Sequence, residues 1–397
     1  MRPMRRPVAG CTAILLLLTI LPSAHRTNAR AATIPGVTAS QILVGTSLPL
    51  SGPAGAYGII ANGIQAYFSY VNAHGGVYGR KLTLNVLDDG YDPLRTQINV
   101  KRLVLSNNVF ALLGVLGTAN NLAALKFITQ QQVPLVYPAT GSSLMAKPFH
   151  KYLFPLQVTY TVEGKVLTDY AVKTLHAKKI GVFYQNDSFG KEGLDAVTAR
   201  AKSDGVTVTA AESYQVTDND FSAQAQKLQQ AGVDAVIVFA VPSPAATFIG
   251  TAAKIGLHAA MLSSSIASDP GVIKALGPAG EGVFFAAYSP LPTSPDPKAV
   301  FYRSVMSKYG DTATAPLGEF TEAGVGAAEV FVEGLRRAGK NLTRPGFISA
   351  LETLRKYNGS IFPNVTYTST DHSGVQGAYV LRAHKGGLVV ASGYEYP

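Results

Sequence analysis

Three short segments of this 397-residue chain carry residue types that could do chemistry. Gly52, Gly55 and Gly58 follow a strand-like run and precede a helical one, the setting of a dinucleotide-binding loop. Their spacing is GxxGxxG rather than GxGxxG, and Pro53 interrupts it, so a tight turn delivering Tyr57 to a cleft is the better reading. Gly117-Thr118-Ala119-Asn120-Asn121 sits where a buried strand gives way to a helix. Free backbone N–H groups at such a start attract an anionic or strongly polar group, and the Thr118 hydroxyl adds a donor. Taken alone, the segment is better read as an ordinary helix cap by Thr118 or Asn120. Ala139-Thr140-Gly141-Ser142-Ser143 forms a second polar strand end one βα unit later. Two such ends side by side favour a ligand site.

Catalytic patterns do not accompany them. The chain has no GxSxG, no HExxH and no lysine-bearing phosphate loop, and its seven histidines are far apart without metal-ligand spacing. Asp88-Asp89 could be paired catalytic carboxylates, but adjacent strand residues point to opposite faces, and a solvated loop edge is expected there. Neither an enzyme nor a bound cofactor or metal is expected.

Alternating strand and helix signals position these segments. Ile42–Thr46 is a β-branched run and Ile59–Val71 has helical spacing. Lys81–Leu87 alternates as a strand, Asp92–Ser106 reads as a helix begun by Pro93, and Val109–Leu116 is a nearly continuous apolar strand. The rhythm continues with a helix over Asn121–Gln131 and a strand over Leu135–Tyr137, then restarts after about residue 158. Helices over Val162–Leu175, Gly190–Ser203, Phe221–Ala231 and Ala245–Ile255 alternate with strands over Lys179–Tyr184, Val206–Tyr214 and Ala235–Ala240. This βαβ order predicts an α/β fold with two doubly wound, Rossmann-like lobes. Beyond Ser289 the prolines mark a connector, followed by helices near Lys298–Tyr309 and Glu319–Ala338 and two short strands about Gly386-Gly387.

Composition narrows the class further. Charged residues are 15% and hydrophobic ones 47%, which excludes a disordered chain, and the length suits two domains. The formal charge of +10 includes five arginines before Thr33 (Arg2, Arg5, Arg6, Arg26, Arg30), where no acid occurs. The remainder holds 29 basic and 24 acidic residues, scattered as on a solvated surface, so no nucleic-acid partner is expected. Three arginines within Met1–Pro7, an apolar run over Cys11–Leu21 and small residues thereafter read as an export signal occupying residues 1–31. Cleavage after Ala31 or near Ala24 would release the mature chain. Val8-Ala9-Gly10-Cys11 precedes the apolar run instead of following it, which argues against a lipid anchor. Cys11 is the only cysteine, so the mature chain has no thiol.

The ordered set from Gly45-Thr46-Ser47-Leu48-Pro49-Leu50-Ser51-Gly52-Pro53, through Asn72-Ala73-His74-Gly75-Gly76-Val77-Tyr78-Gly79-Arg80, to Asp88-Asp89-Gly90-Tyr91-Asp92-Pro93 resembles a known opening. It is similar to that of the type I periplasmic binding proteins that take leucine, isoleucine and valine and feed ABC importers. The resemblance implies a three-segment hinge, with 33–158 plus 289–365 as one lobe and 159–288 plus 366–397 as the other. It implies a monomer that closes on a small molecule and docks on a membrane permease. A ligand sensor presented to a signalling partner is the alternative.

The family's first-lobe contact positions match Tyr57, Thr118, Ala119, Ala139, Thr140 and Gly141. In the second lobe Phe189 stands where a tyrosine is typical, Val241 where another is common, and Ser265 where an acid pairs with the ligand's ammonium. An unpaired buried ammonium would cost several kcal/mol. The expected ligand is therefore a small carboxylate, aromatic or aliphatic, or an amino acid or amino-acid-like molecule, with a plain α-amino acid disfavoured by Ser265.

Overall fold

The computed structural model describes residues 34–397, with Met1, Pro3, Met4, Pro7, Ala9 and Gly10 of the leader. The apolar leader run and both candidate cleavage points lie outside the described residues. Residues 34–397 form one compact unit.

Two sheets organise that unit. Strands β1 (Gln41–Leu48), β2 (Lys81–Asp88), β3 (Ala111–Leu113), β4 (Leu135–Val136) and β5 (Leu153–Phe154) form an all-parallel sheet in the order β2-β1-β3-β4-β5. The second sheet has β6 (Lys179–Gln185), β7 (Thr207–Tyr214), β8 (Ala235–Phe239), β9 (Ala260–Ser263) and β10 (Phe284–Ala287), all parallel. An antiparallel hairpin, β11 (Tyr379–His384) and β12 (Gly387–Val390), extends it beyond β10. Strand β8, Ala-Val-Ile-Val-Phe, is buried at every residue because helices cover both faces. At the edge, β7 alternates exposed and half-buried residues.

Helices between the strands supply the covering layers: α1 (Ile60–Ala73), α2 (Pro93–Leu105), α3 (Thr118–Gln130), α4 (Tyr160–Asp169), α5 (Ser188–Ser203), α6 (Ser222–Gln230), α7 (Pro242–Lys254) and α8 (Pro270–Leu276). The tail adds α9 (Pro297–Tyr309), α10 (Glu319–Ala338) and α11 (Arg344–Leu351). Helix α10 returns to the first sheet and crosses α1 at two glycines, Gly63 and Gly324. A Cβ on Gly63 would stand 2.1 Å from the Thr321 carbonyl oxygen, so only glycine permits this approach.

Several expectations are corrected. The apolar run Val109–Leu116 is buried throughout, but only three residues pair as strand, because Gly114 turns the backbone to φ +81°. Helix α3 begins at Thr118 instead of Asn121. The terminal hairpin turns on Lys385 and Gly386, both left-handed, one residue earlier than expected. Asp89 is not a solvated edge. It is fully buried and accepts from the Ser47 and Thr96 hydroxyls at 2.7 and 2.9 Å and from the Tyr91 N–H at 2.9 Å.

Candidate functional site

The segments following β1, β3, β4, β6, β8 and β9 converge on one cavity between the sheets. This is the carboxyl rim of parallel strands, where α/β folds present loops to ligands. Tyr57 sits in a short 3-10 turn over Gly55–Ile59, its ring 4.8 Å from that of Phe320. Its hydroxyl donates to the Ile266 carbonyl at 3.1 Å. Burial pushes the Tyr57 phenol well above its ordinary range, so it remains a donor.

The start of α3 has no side-chain cap, contrary to the ordinary reading of this segment. Gly117 enters the helix at φ +97°. Asn121 turns back to donate to the Val115 and Gly117 carbonyls, both at 2.8 Å, and Asn120 donates to the Thr96 hydroxyl at 2.7 Å. The first N–H groups of α3 therefore have neither an intrahelical partner nor a capping oxygen. Thr118 and Thr140 join through their hydroxyls at 2.7 Å, and the Tyr160 hydroxyl lies 3.4 Å from Thr140.

On the opposite wall, Asp187 caps α5 by accepting from the Phe189 and Gly190 N–H groups. This places Phe189 with its ring 4.7 Å from that of Tyr160. The Val241 N–H donates to the Tyr214 hydroxyl at 3.1 Å. The Ser265 hydroxyl donates to Glu163 at 2.5 Å, and its N–H reaches the other oxygen of that carboxylate at 3.3 Å. Glu163 is fully buried, and burial pushes its carboxyl up to about 7 against the opposing effect of the two Ser265 bonds.

Ser265 thus holds an acid supplied by another element. A second acid, Glu319 in the first turn of α10, lines the same cavity, and no donor among the described residues meets its carboxylate. Burial, then the nearby acids Glu322, Asp269 and Glu163, push its carboxyl well above the usual range. Of these two acids Glu319 lines the cavity, and Glu163 lies behind Ser265, the residue that stands where the family resemblance led us to look for an acid.

The cavity has a volume of about 40 Å³ and is lined from both sheets' sides. Tyr57, Ala139, Phe189, Val241 and Ser265 stand together on its wall. Thr118 and Thr140 lie one layer behind, Ala119 sits in the first turn of α3, and Gly141 packs against the Tyr160 ring. Sequence reasoning missed Glu319, Gln157 and the tyrosines Tyr91, Tyr137, Tyr160 and Tyr288, which complete the wall. One signal was available: Glu319, Glu322 and Glu329 recur on one face of α10, and all but Thr321 of the residues between them are apolar or glycine. Beyond Phe320 a groove of about 1110 Å³ runs between α7, α8 and the Tyr57 turn.

A sequence model of the family described as periplasmic binding protein matches residues 41–387. The Leu/Ile/Val-binding protein homolog 3 of Brucella melitensis is 25% identical over 344 residues, covering 86% of this chain and 91% of that protein. A substrate-binding periplasmic protein from Ralstonia solanacearum is 31% identical, with a TM-score of 0.82 over 88% of this chain and 99% of that one. A fatty acid ABC transporter substrate-binding protein from Thermomonospora curvata is 26% identical, with a TM-score of 0.84 over 92% and 94% of the two chains.

Proposed function

Because this chain belongs to the periplasmic binding protein family, we propose that it captures an amino-acid-like solute whose carboxylate meets α3 and whose ammonium faces Glu319. Family membership makes it an extracytoplasmic solute-binding protein that closes on a small ligand and works with a membrane ABC permease. Its task is capture and delivery, not catalysis. Closure is a population shift: a ligand touching both lobes favours the state in which both touch it. We assign 33–158 with 289–365 to one lobe and 159–288 with 366–397 to the other.

The observation that carries the ligand reading is the unmet Glu319 carboxylate in a cavity that also contains Gly117. The uncapped start of α3 suits a carboxylate, through its free N–H groups and the partial positive charge of a helix start. An ammonium beside Glu319 would pull that carboxyl back into its ionised form. Phe189, Val241 and the tyrosine rings would pack the ligand's apolar body. A body longer than the inner cavity would pass Phe320 into the groove along α7, a course consistent with the fatty-acid relative.

Matched pairs of solutes test this reading by thermal shift: L-leucine against 4-methylpentanoate, and L-phenylalanine against 3-phenylpropanoate. The amino acid of a pair should stabilise the protein while its ammonium-free partner does not. Glu319→Gln should weaken that binding by two to three orders of magnitude, the consequence of removing one partner from a buried ion pair. Equal stabilisation by the ammonium-free acid would overturn the role given to Glu319.

A further inference from the structure

Away from the cavity wall, one carboxylate ties the first sheet's loops to a helix of the second. Glu192 lies in the second turn of α5, one helical turn after Phe189. It accepts from the Ser142 hydroxyl at 2.7 Å with one oxygen and from the Ser143 N–H at 2.8 Å with the other. Both serines follow β4. On its own side Glu192 meets the Thr161 hydroxyl at 3.3 Å. Ionised acceptors make the stronger class of hydrogen bond, and this one collects two donors from across the cleft.

We propose that Glu192 is the latch that holds the lobes shut. It is a positioning residue that lines no part of the inner cavity. Two features join it to the site. The Ser142 N–H donates to the Thr140 hydroxyl at 3.1 Å, and Thr140 is bonded to Thr118 at the start of α3. The shape of the latch loop is therefore set by the polar strand ends beside the cavity. On the other side, α5 carries Phe189 on its first turn, so seating Glu192 on Ser142 and Ser143 brings Phe189 onto the cavity. The latch extends the capture reading but does not depend on which solute is captured.

Small-angle scattering of the whole protein without added solute tests it, alongside hydrogen exchange at the Ser143 amide. The parent should contain closed molecules. Glu192→Ala removes both bonds across the cleft and should lower the closed-to-open ratio at least tenfold, which is about the net worth of one such bond, and should deprotect the Ser143 amide. Ser142→Ala should shift the ratio the same way, and the double variant should add little to Glu192→Ala alone. Thr161→Ala, which removes only the contact within α5's own lobe, should leave the parent distribution unchanged. A parent curve fitted by open molecules alone, a Glu192→Ala curve superposing on the parent's, or an equal shift from Thr161→Ala would each overturn the latch.

Discussion

The Tyr57 hydroxyl and the Ile266 carbonyl, 209 residues apart in the chain, meet at 3.1 Å. A side chain from the turn after β1 thereby closes on the loop after β9. Tyr57→Phe should keep the ring contact with Phe320 and leave the carbonyl without its donor. Loss of such a bond costs about 0.5–1.5 kcal/mol, more where the acceptor stays dry. Calorimetric titration with the solute retained from the thermal-shift panel should show several-fold weaker binding, carried by faster release. Unchanged affinity would remove this bond from the closure mechanism.

Two sources made part of the site legible. Parallel strands deliver their carboxyl ends to one rim, so the Tyr57 turn and the strand ends at Thr118 and Ala139-Thr140-Gly141 could be placed together from the chain alone, while Phe189, Val241 and Ser265 could be placed with them only through the family resemblance. Glu163 and Glu319 could not, because each arrives from the first turn of a helix whose docking is set by distant packing. Ser265 was read as a missing acid, although the acid it holds lies 102 positions earlier. Asp89 was misread for a local reason. The alternation of faces applies within a strand, and after β2 the chain turns through Gly90 at φ +56° and folds Asp89 inward. The two α/β lobes followed from the βαβ rhythm, while β9, β10 and α8 were too short to stand out in it.

Buried acids set the pH dependence of stability. Burial raises Glu163 to about 7 and Glu329 to about 8, and it raises Glu319 and Glu322 well above the usual carboxyl range. In each case the folded protein holds its proton to higher pH than the unfolded chain does. The resulting stability is fully present below the unfolded carboxyl range, near 4.5, and is lost as pH rises through the folded values. Asp88 and Asp169 are lowered in the folded state and act oppositely, losing their contribution as pH falls through their folded values. Thermal unfolding should therefore show greater stability near pH 5 than near pH 8. Glu163→Gln should flatten the slope between about 5 and 7, where one raised carboxyl contributes up to roughly 1.4 kcal/mol per pH unit.

Asp89 supports the cavity from behind. Its carboxylate gathers the hydroxyls of Ser47 and Thr96 and the N–H of Tyr91, and Tyr91 lines the cavity. Asp89→Ala removes the acceptor for all three and should cost about 3 kcal/mol or more, since buried donors would lose a charged partner. Denaturant unfolding measures the loss. Ligand affinity should fall as well, because the Tyr91 turn loses its anchor. Asp89→Asn should lie between the variant and the parent, since an amide keeps one accepting oxygen but brings two donors of its own.

The crossing of α1 and α10 fixes where Glu319 and Phe320 enter the cavity. A Cβ at Gly63 would meet the Thr321 carbonyl oxygen at 2.1 Å, and one at Gly324 would meet that of Ile60 at 2.2 Å. Both obstacles are backbone, so relief requires moving a helix. Gly63→Ala should destabilise by roughly 1–3 kcal/mol, the usual cost of overpacking, and should also weaken ligand binding through the displaced first turn of α10. Gly250 provides the contrast. It lies inside α7 with no atom within 4 Å of an added Cβ. Gly250→Ala should stabilise by about 0.5–1 kcal/mol through helix propensity alone. Denaturant melts of the two variants should move in opposite directions. Movement in the same direction would mean that close helix approach does not decide the sign at Gly63.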